Sequence, residues 1–424
     1  MKRLVLLLLL SAMPAFAQDH QGMDHGDMGH MDHGAMDMDM GGMDMDMHGA
    51  FGPYAMNRES SGTSWQPDAG PAMGRMTMIG PWMLMSYAEL NGIHDYQSGP
   101  RGGDMTFLSG MAMGMAQRDF GSDTLGLRAM LSPDPLMGRR GYPLLMASGE
   151  TADGVTHLVD RQHPHDMVME LAASWSHRFD ETSAAFLYLG YPGEPALGPS
   201  AFMHRASAMD NPAAPITHHW LDSTHITYGV ATAGVVLGDW KLEASQFTGR
   251  EPDQRRFGFD HPRFDSTSAR ISFNPDEHWS LQASWGHLNS PEQLEPDVDE
   301  DRYTASATWF TALGEEGSFA ATGAWGLKSL SDGTRLNALL AEAAYKPADL
   351  WTVFARAEWE ENAELAARKA RVGEISLGLV RDFRLDDHWR FGLGGLYAFA
   401  MTPGHAGYGN APHGAMAFVH LIAE

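Results

Sequence analysis

The chain has 424 residues, 30 methionines, no cysteine and a formal net charge of −25. The lack of cysteine excludes disulfides, thiolate metal sites and cysteine nucleophiles, and the acidic balance argues against nucleic acid and for cations as partners. A chain of this length exceeds one ordinary hydrophobic core but suits a closed barrel, which escapes the usual domain-size limit.

Residues 1–17, MKRLVLLLLLSAMPAFA, carry Lys2 and Arg3, then an apolar run, then Ala15-Phe16-Ala17. That order predicts a secretory signal peptide; the run is too short for a membrane anchor.

Residues 18–50 concentrate methionine, histidine and aspartate and omit nearly everything that builds a core. Thioether sulfur is a soft, neutral ligand that selects Cu(I) and, by the same logic, Ag(I). The tail offers Met23, Met28 and Met31, then two Met-x-Met-x-Met triplets, Met36, Met38, Met40 and Met43, Met45, Met47. Alternate residues of an extended chain share a side, so each triplet can present three sulfurs to one ion. His20, His25, His30, His33 and His48 add imidazoles, which also accept Cu(II). The interleaved aspartates concentrate cations and keep the empty tail disordered. A merely solubilising tail leaves nine methionines between positions 23 and 47 without a purpose. Residues 51–78, polar and rich in Gly, Ser and Pro, have the composition of a linker.

From residue 79 to residue 424 one pattern recurs: about ten residues alternating apolar with polar, then a turn. In TVFARAEW, Val353, Ala355, Ala357 and Trp359 oppose Thr352, Phe354, Arg356 and Glu358. The expected fold is all-β: a transmembrane antiparallel β-barrel of about sixteen strands, within 12–18, behind a disordered N-terminal tail. Short turns such as LGDW, LGEEG and RLDDH alternate with long segments at 132–164, 191–221, 249–263, 289–301 and 401–412. Barrels of the bacterial outer membrane have short periplasmic turns and long outer loops, which places both termini in the periplasm and the barrel wall against outer-membrane lipid. By parity Lys241, Glu243, Arg270, Arg356, Glu358 and Glu374 face the lumen, as do Met83, Met85 and Met416. The same parity assigns Met111, Met113, Met115, Met167 and Met169 to the lipid face, with strands expected over 165–179 and 222–238.

Two long loops carry a second set of metal-ligand residues: His163, His165 and Asp166 in DRQHPHD, and His218, His219, Asp222 and His225 in HHWLDSTH. Copper or zinc accepts such imidazoles and carboxylates; the reading placed ahead of it is that the same groups pin a folded plug through hydrogen bonds, since irregular loops in a barrel need many polar contacts. Ser207 and Ser223 near these histidines raise a rim-sited hydrolase as an alternative, although neither Gly-x-Ser-x-Gly nor His-Glu-x-x-His occurs.

The layout of leader, Met-Asp-His-Gly and Met-x-Met-x-Met elements and barrel resembles the copper-resistance protein B family of the bacterial outer membrane. The resemblance implies copper tolerance, by sequestration or by efflux across the outer membrane; the absence of catalytic motifs sets enzymatic activity aside, and a periplasmic copper carrier or oxidase is the expected partner. A porin-like channel for another solute, with the tail as an accessory, is the competing reading.

Overall fold

The structure, a computed structural model, describes residues 48–424. The signal peptide and the tail through Met47 lie outside the described residues. The strands in chain order are β1 (Arg75–Ile79), β2 (Trp82–Gln97), β3 (Gly103–Phe120), β4 (Asp123–Leu131), β5 (Tyr142–Thr151), β6 (His157–Gln162), β7 (Val168–Arg178), β8 (Ser183–Gly190), β9 (Val230–Leu237) and β10 (Trp240–Phe247). They continue as β11 (Ser266–Phe273), β12 (Trp279–Leu288), β13 (Glu300–Leu313), β14 (Gly317–Leu330), β15 (Arg335–Ala348), β16 (Trp351–Asn362), β17 (Ala370–Arg384), β18 (Trp389–Met401) and β19 (His413–Ala423).

Strands β2–β4 and β7–β19 form an antiparallel barrel of sixteen strands, closed where β19 pairs with β2 from Ala423↔Ala88 to Gly414↔Gln97. Below that seam β1 occupies the vacated edge of β2, pairing Arg75 with Ser86. Closure removes the unpaired edges that an open sheet would present to lipid. The β5–β6 hairpin stands apart, inside the long connection after β4.

The period of two places the faces as expected. In β16 the side chains of Thr352, Phe354, Arg356 and Glu358 are buried, and Val353, Ala355 and Ala357 are exposed. Exposed apolar residues such as Leu187, Leu242, Ile375, Leu377 and Leu379 make the lipid-facing belt. Aromatic residues border it: Trp240 stacks on Phe273 near one rim, and Tyr397 packs on Phe399 near the other. Turns at 121–122, 179–182, 238–239, 274–278, 314–316, 349–350 and 385–388 mark the short-turn, periplasmic end; the other end carries connections as long as 191–229. The six predicted lumenal charges are all buried, and Glu243 pairs with Lys241 at 3.2 Å and Arg270 at 2.9 Å.

Three expectations are corrected. The stretch at 51–78, read as a linker, is packed within the lumen as far as Gly74 and then becomes β1. Phe51 lies against Phe186 with ring centroids 5.0 Å apart, the Thr63 hydroxyl donates to Glu243 at 2.5 Å, and Arg128 pairs with Glu59 at 2.9 Å. Its polar composition suits a polar lumen as well as it suits water, because its polar groups find partners on inward-facing strand positions, as Thr63 does on Glu243 and Glu59 on Arg128, or within the strap, as Arg58 does on Asp68. His48, counted with the tail, belongs to this strap: it is buried, and its Nε2 lies 3.3 Å from Asp119.

Secondly, the segment 222–229, expected to start a strand, is irregular and carries His225 in a short 3-10 turn before β9 begins at Val230. Thirdly, the methionines of β3 face inward: Met111 is buried, and Met113 and Met115 line a lumenal cavity, while Gly110, Ala112 and Gly114 take the outer face. Met169 turns inward for a different reason. A bulge pairs Met130 with Glu170 but Leu131 with Val168, so one extra residue in β7 reverses the parity that Leu171 and Trp175 obey.

Candidate metal centre

The two long loops fold into the barrel and not merely over it. Arg205 bonds Glu342 at 2.6 Å and Asp222 at 2.7 Å, Thr217 donates to Glu358 at 2.7 Å, and the Trp220 indole donates to the Leu336 carbonyl at 3.1 Å. These anchors hold a single helical turn, His218–Leu221, against β14 and β15. The i,i+4 spacing places Asp222 beside His218. In the preceding loop Pro164 keeps His163 extended, so that His163 and His165, two residues apart, can serve one side.

All five predicted loop histidines meet there. Ring centroids are 5.2 Å apart for His165–His225 and His218–His225, 5.4 Å for His218–His219, 5.5 Å for His163–His219 and 6.3 Å for His163–His218. Phe202 closes one side, with its ring 5.6 Å from that of His218.

The hydrogen bonding of these rings is one-sided. His165 Nδ1 faces Asp134 at 2.9 Å, His218 Nδ1 faces Asp222 at 2.8 Å, and His219 Nδ1 faces Glu251 at 3.2 Å. His225 Nδ1 faces the Asp222 carbonyl at 2.7 Å and His163 Nδ1 the Pro164 carbonyl at 3.4 Å. Every Nε2 of the five is buried without a hydrogen-bond partner; His163 Nε2 approaches Glu150 at 3.5 Å without hydrogen-bond geometry. Leaving a buried polar atom unpaired costs about 1–3 kcal/mol; other groups such as Asp95, Gln162 and Arg356 also carry such an atom, and what distinguishes the histidines is that five of them lie together, each with Nδ1 engaged and Nε2 unpartnered. Metal-binding imidazoles show this division, one nitrogen oriented by a carboxylate or carbonyl and the other free for the ion. Rings bound through Nε2 at about 2.0–2.1 Å have centroids roughly 5 Å apart around a tetrahedral ion; the shorter spacings above match this, but no three of the imidazoles bring their ring nitrogens within 4.8 Å of one another, so ligation by three of them requires the rings to turn toward a common point.

The charges suit ligation. Burial, then repulsion from Arg256 and the neighbouring imidazoles, holds His163 well below the usual imidazole range. Burial does the same to His225, with His218 and His165 adding to it, and burial lowers His218 against the pull of Asp222. These rings are therefore neutral, the form a metal takes. His219 differs: burial would lower it, but Glu251 outweighs burial and raises it. Burial would raise Asp222 as well, yet Arg205 and then His218 hold it ionised.

The two carboxylates predicted as ligands serve otherwise. Asp222 orients His218 and anchors Arg205, and Asp166 pairs with Arg256 at 3.3 Å. The sequence reading missed Asp134, Glu251 and Glu292. Among the described residues the one group of three or more His, Asp or Glu whose ligand atoms all lie within 4.8 Å of one another is His219, Glu251 and Glu292, an oxygen-rich site at the edge of the imidazoles. Burial and the nearby Glu251 push Glu292 up to about 8. No local motif marks these three acids; they lie in other loops and meet the histidines only in space. The serines raised for hydrolysis have other partners: Ser207 donates to Glu342 at 3.0 Å, and Ser223 accepts from Arg302 at 2.9 Å.

No protein-family model matches the sequence, and no curated protein matches it either. Solved structures do match. OmpF of Salmonella typhi, in complex with daunomycin, superposes with a TM-score of 0.54 at 10% identity over 82% of this chain and 100% of that one. An anion-selective porin from Comamonas acidovorans gives 0.48 at 10% identity over 80% and 99%, and OmpT of Vibrio cholerae 0.47 at 8% over 82% and 100%. Together with the closed sixteen-stranded sheet and its apolar belt, the likeness to OmpF makes this chain an outer-membrane barrel of porin-like fold.

Proposed function

We propose that this porin-like barrel handles copper in the bacterial outer membrane, holding the ion at the cluster of His163, His165, His218, His219 and His225 inside its lumen. The observation that carries the reading is the set of five buried Nε2 atoms without partners, each on a ring whose Nδ1 faces an acceptor. Imidazole accepts copper or zinc; the methionine-rich tail favours copper, because thioether is a poor zinc ligand. On this reading the tail, residues 18–47, gathers Cu(I) and the cluster holds copper within the barrel, in the service of copper tolerance. The lumen filled by the strap and by 191–229 favours a small ion over a bulky solute as cargo.

The test uses the full-length protein in detergent, titrated with Cu(II) and followed by electron paramagnetic resonance. Replacing His218 and His225 with alanine should remove one nitrogen-rich signal while leaving the contribution of the tail. An unchanged spectrum and stoichiometry would leave the cluster a structural plug. In cells, deleting residues 19–47 should raise copper sensitivity; equal tolerance would favour a channel for another solute.

A further inference from the structure

We propose that the inward methionines of β2, β3, β4 and β7 form a second, thioether site for a monovalent soft cation, Cu(I) or Ag(I), leading from the periplasmic half of the lumen to the imidazole cluster. The proposal deepens the copper reading and rests on it for its biological sense, but not for its test.

The strand register builds the site. On the inward face Met85 is paired with Met115, Tyr87 with Met113 and Glu89 with Met111, and Met113 is paired in turn with Met130 of β4. Directly opposed side chains have Cβ atoms about 4.5–5.5 Å apart, and successive inward rows are about 7 Å apart. The long, unbranched thioether spans both gaps. Met169, brought inward by the β7 bulge, joins Met111 and Met130 in one buried cluster, against which Met73 of the strap and Met203 of the inserted loop pack. Because β3 descends toward the short turn at 121–122, Met115 lies nearest the periplasm and Met111 nearest the loops.

Two cavities flank the ladder. The lower, about 40 Å³, is lined by Met73, Met85, Met113, Met115 and Met130 together with Glu59 and Glu170. The upper, about 70 Å³, is lined by Met111, Met169 and Met203 together with His163 and His165. The thioethers thus reach from the strap to the first imidazoles.

Methionine used only as filler is the competing account, since it packs irregular gaps well. Two observations weigh against it. Along these rows within β2, β3 and β4 every inward aliphatic residue is methionine, from Met85 and Met115 to Met130; the isoleucines of the same cluster, Ile226 and Ile422, come from the inserted loop and from β19. The lower cavity also sets sulfur beside charged groups, Glu59 paired with Arg128 at 2.9 Å and Glu170 bonded by Tyr188 at 2.7 Å, an arrangement an oily core avoids.

The experiment measures silver, which needs no reductant, on the full-length protein. Ag(I) stoichiometry is determined for the wild type and for Met113→Leu/Met130→Leu, a near volume-conserving change, with folding checked by heat-resistant gel migration. In parallel, methionine oxidation by peroxide is mapped by mass spectrometry with and without silver. The tail is present in both chains, so its contribution cancels. The expected result is the loss of about one silver equivalent in the variant, consistent with removal of one thioether site, and silver protection of Met111, Met113 and Met130 in the wild type. Equal stoichiometry in a folded variant overturns the proposal, whether or not the tail methionines are protected; if the double variant does not fold, Met85→Leu and Met113→Leu singly provide the same comparison. The Cu(II) signal of the imidazoles is read separately. A nitrogen-rich Cu(II) signal in the wild type together with equal silver stoichiometry in the two chains defeats the thioether site alone, and absence of that signal together with loss of a silver equivalent in the variant defeats the imidazole reading alone.

Discussion

Asp222→Asn isolates the orienting role of one carboxylate. The Asp222 side chain accepts from His218 Nδ1 at 2.8 Å and pairs with Arg205 at 2.7 Å, and both side chains are nearly inaccessible. His225 bonds the Asp222 main-chain carbonyl, so its orientation survives the change. Arg205 keeps Glu342 at 2.6 Å and the Ser200 carbonyl at 2.7 Å, so the stability loss should fall short of the roughly 3–5 kcal/mol that follows when a buried pair loses its only partner. His218 loses its anionic acceptor, and loss of an outer-shell partner typically costs about 10–100-fold in metal affinity, or about 1.4–2.7 kcal/mol. The assay is chelator competition for Cu(II) in full-length wild type and variant, with folding verified by heat-resistant migration. A folded variant whose copper affinity stays within a factor of about three would refute the assignment, since a genuine outer-shell partner contributes more.

Acidification provides a second check. Because burial keeps His163, His218 and His225 neutral below the usual imidazole value, protons compete for them only below their depressed values. Copper held by the cluster should therefore persist as pH falls through about 6.5, where free imidazole begins to release it; release of all copper in that window would contradict the assignment. His219, raised by Glu251, should be the first ring to take up a proton, visible as a change in nitrogen coupling before copper is lost. At Gly149, where φ is +112° and an added Cβ would sit 2.6 Å from the His219 ring, Gly149→Ala should displace that imidazole and weaken copper binding, whereas Gly238→Ala, whose Cβ meets nothing, should not. Removing residues 49–74 should raise single-channel conductance in a planar bilayer; equal conductance would show that the strap does not limit passage.

Much of this fold was legible from residue order, because a wall between lipid and a polar lumen imposes a period of two at every strand. That constraint sets the strand number near sixteen, the inward charges from Lys241 to Glu374 and the alternation of turns with loops. Residue type, not periodicity, marks the five loop histidines as candidates, because imidazoles and carboxylates are grouped in two adjacent long loops. Parity fails at Met169 because one bulged residue, set by pairing with β4, reverses the face. Composition fails at 51–74 because a polar lumen and solvent satisfy the same side chains, and only the positions of Glu243 and Arg128 decide between them. The acceptors Asp134 and Glu251 come from connections far from the histidines in sequence, so the division between oriented Nδ1 and free Nε2 exists only once the barrel has closed around its loops. The strands themselves follow from local alternation; the convergence of imidazoles and thioethers follows from which segments the lumen admits.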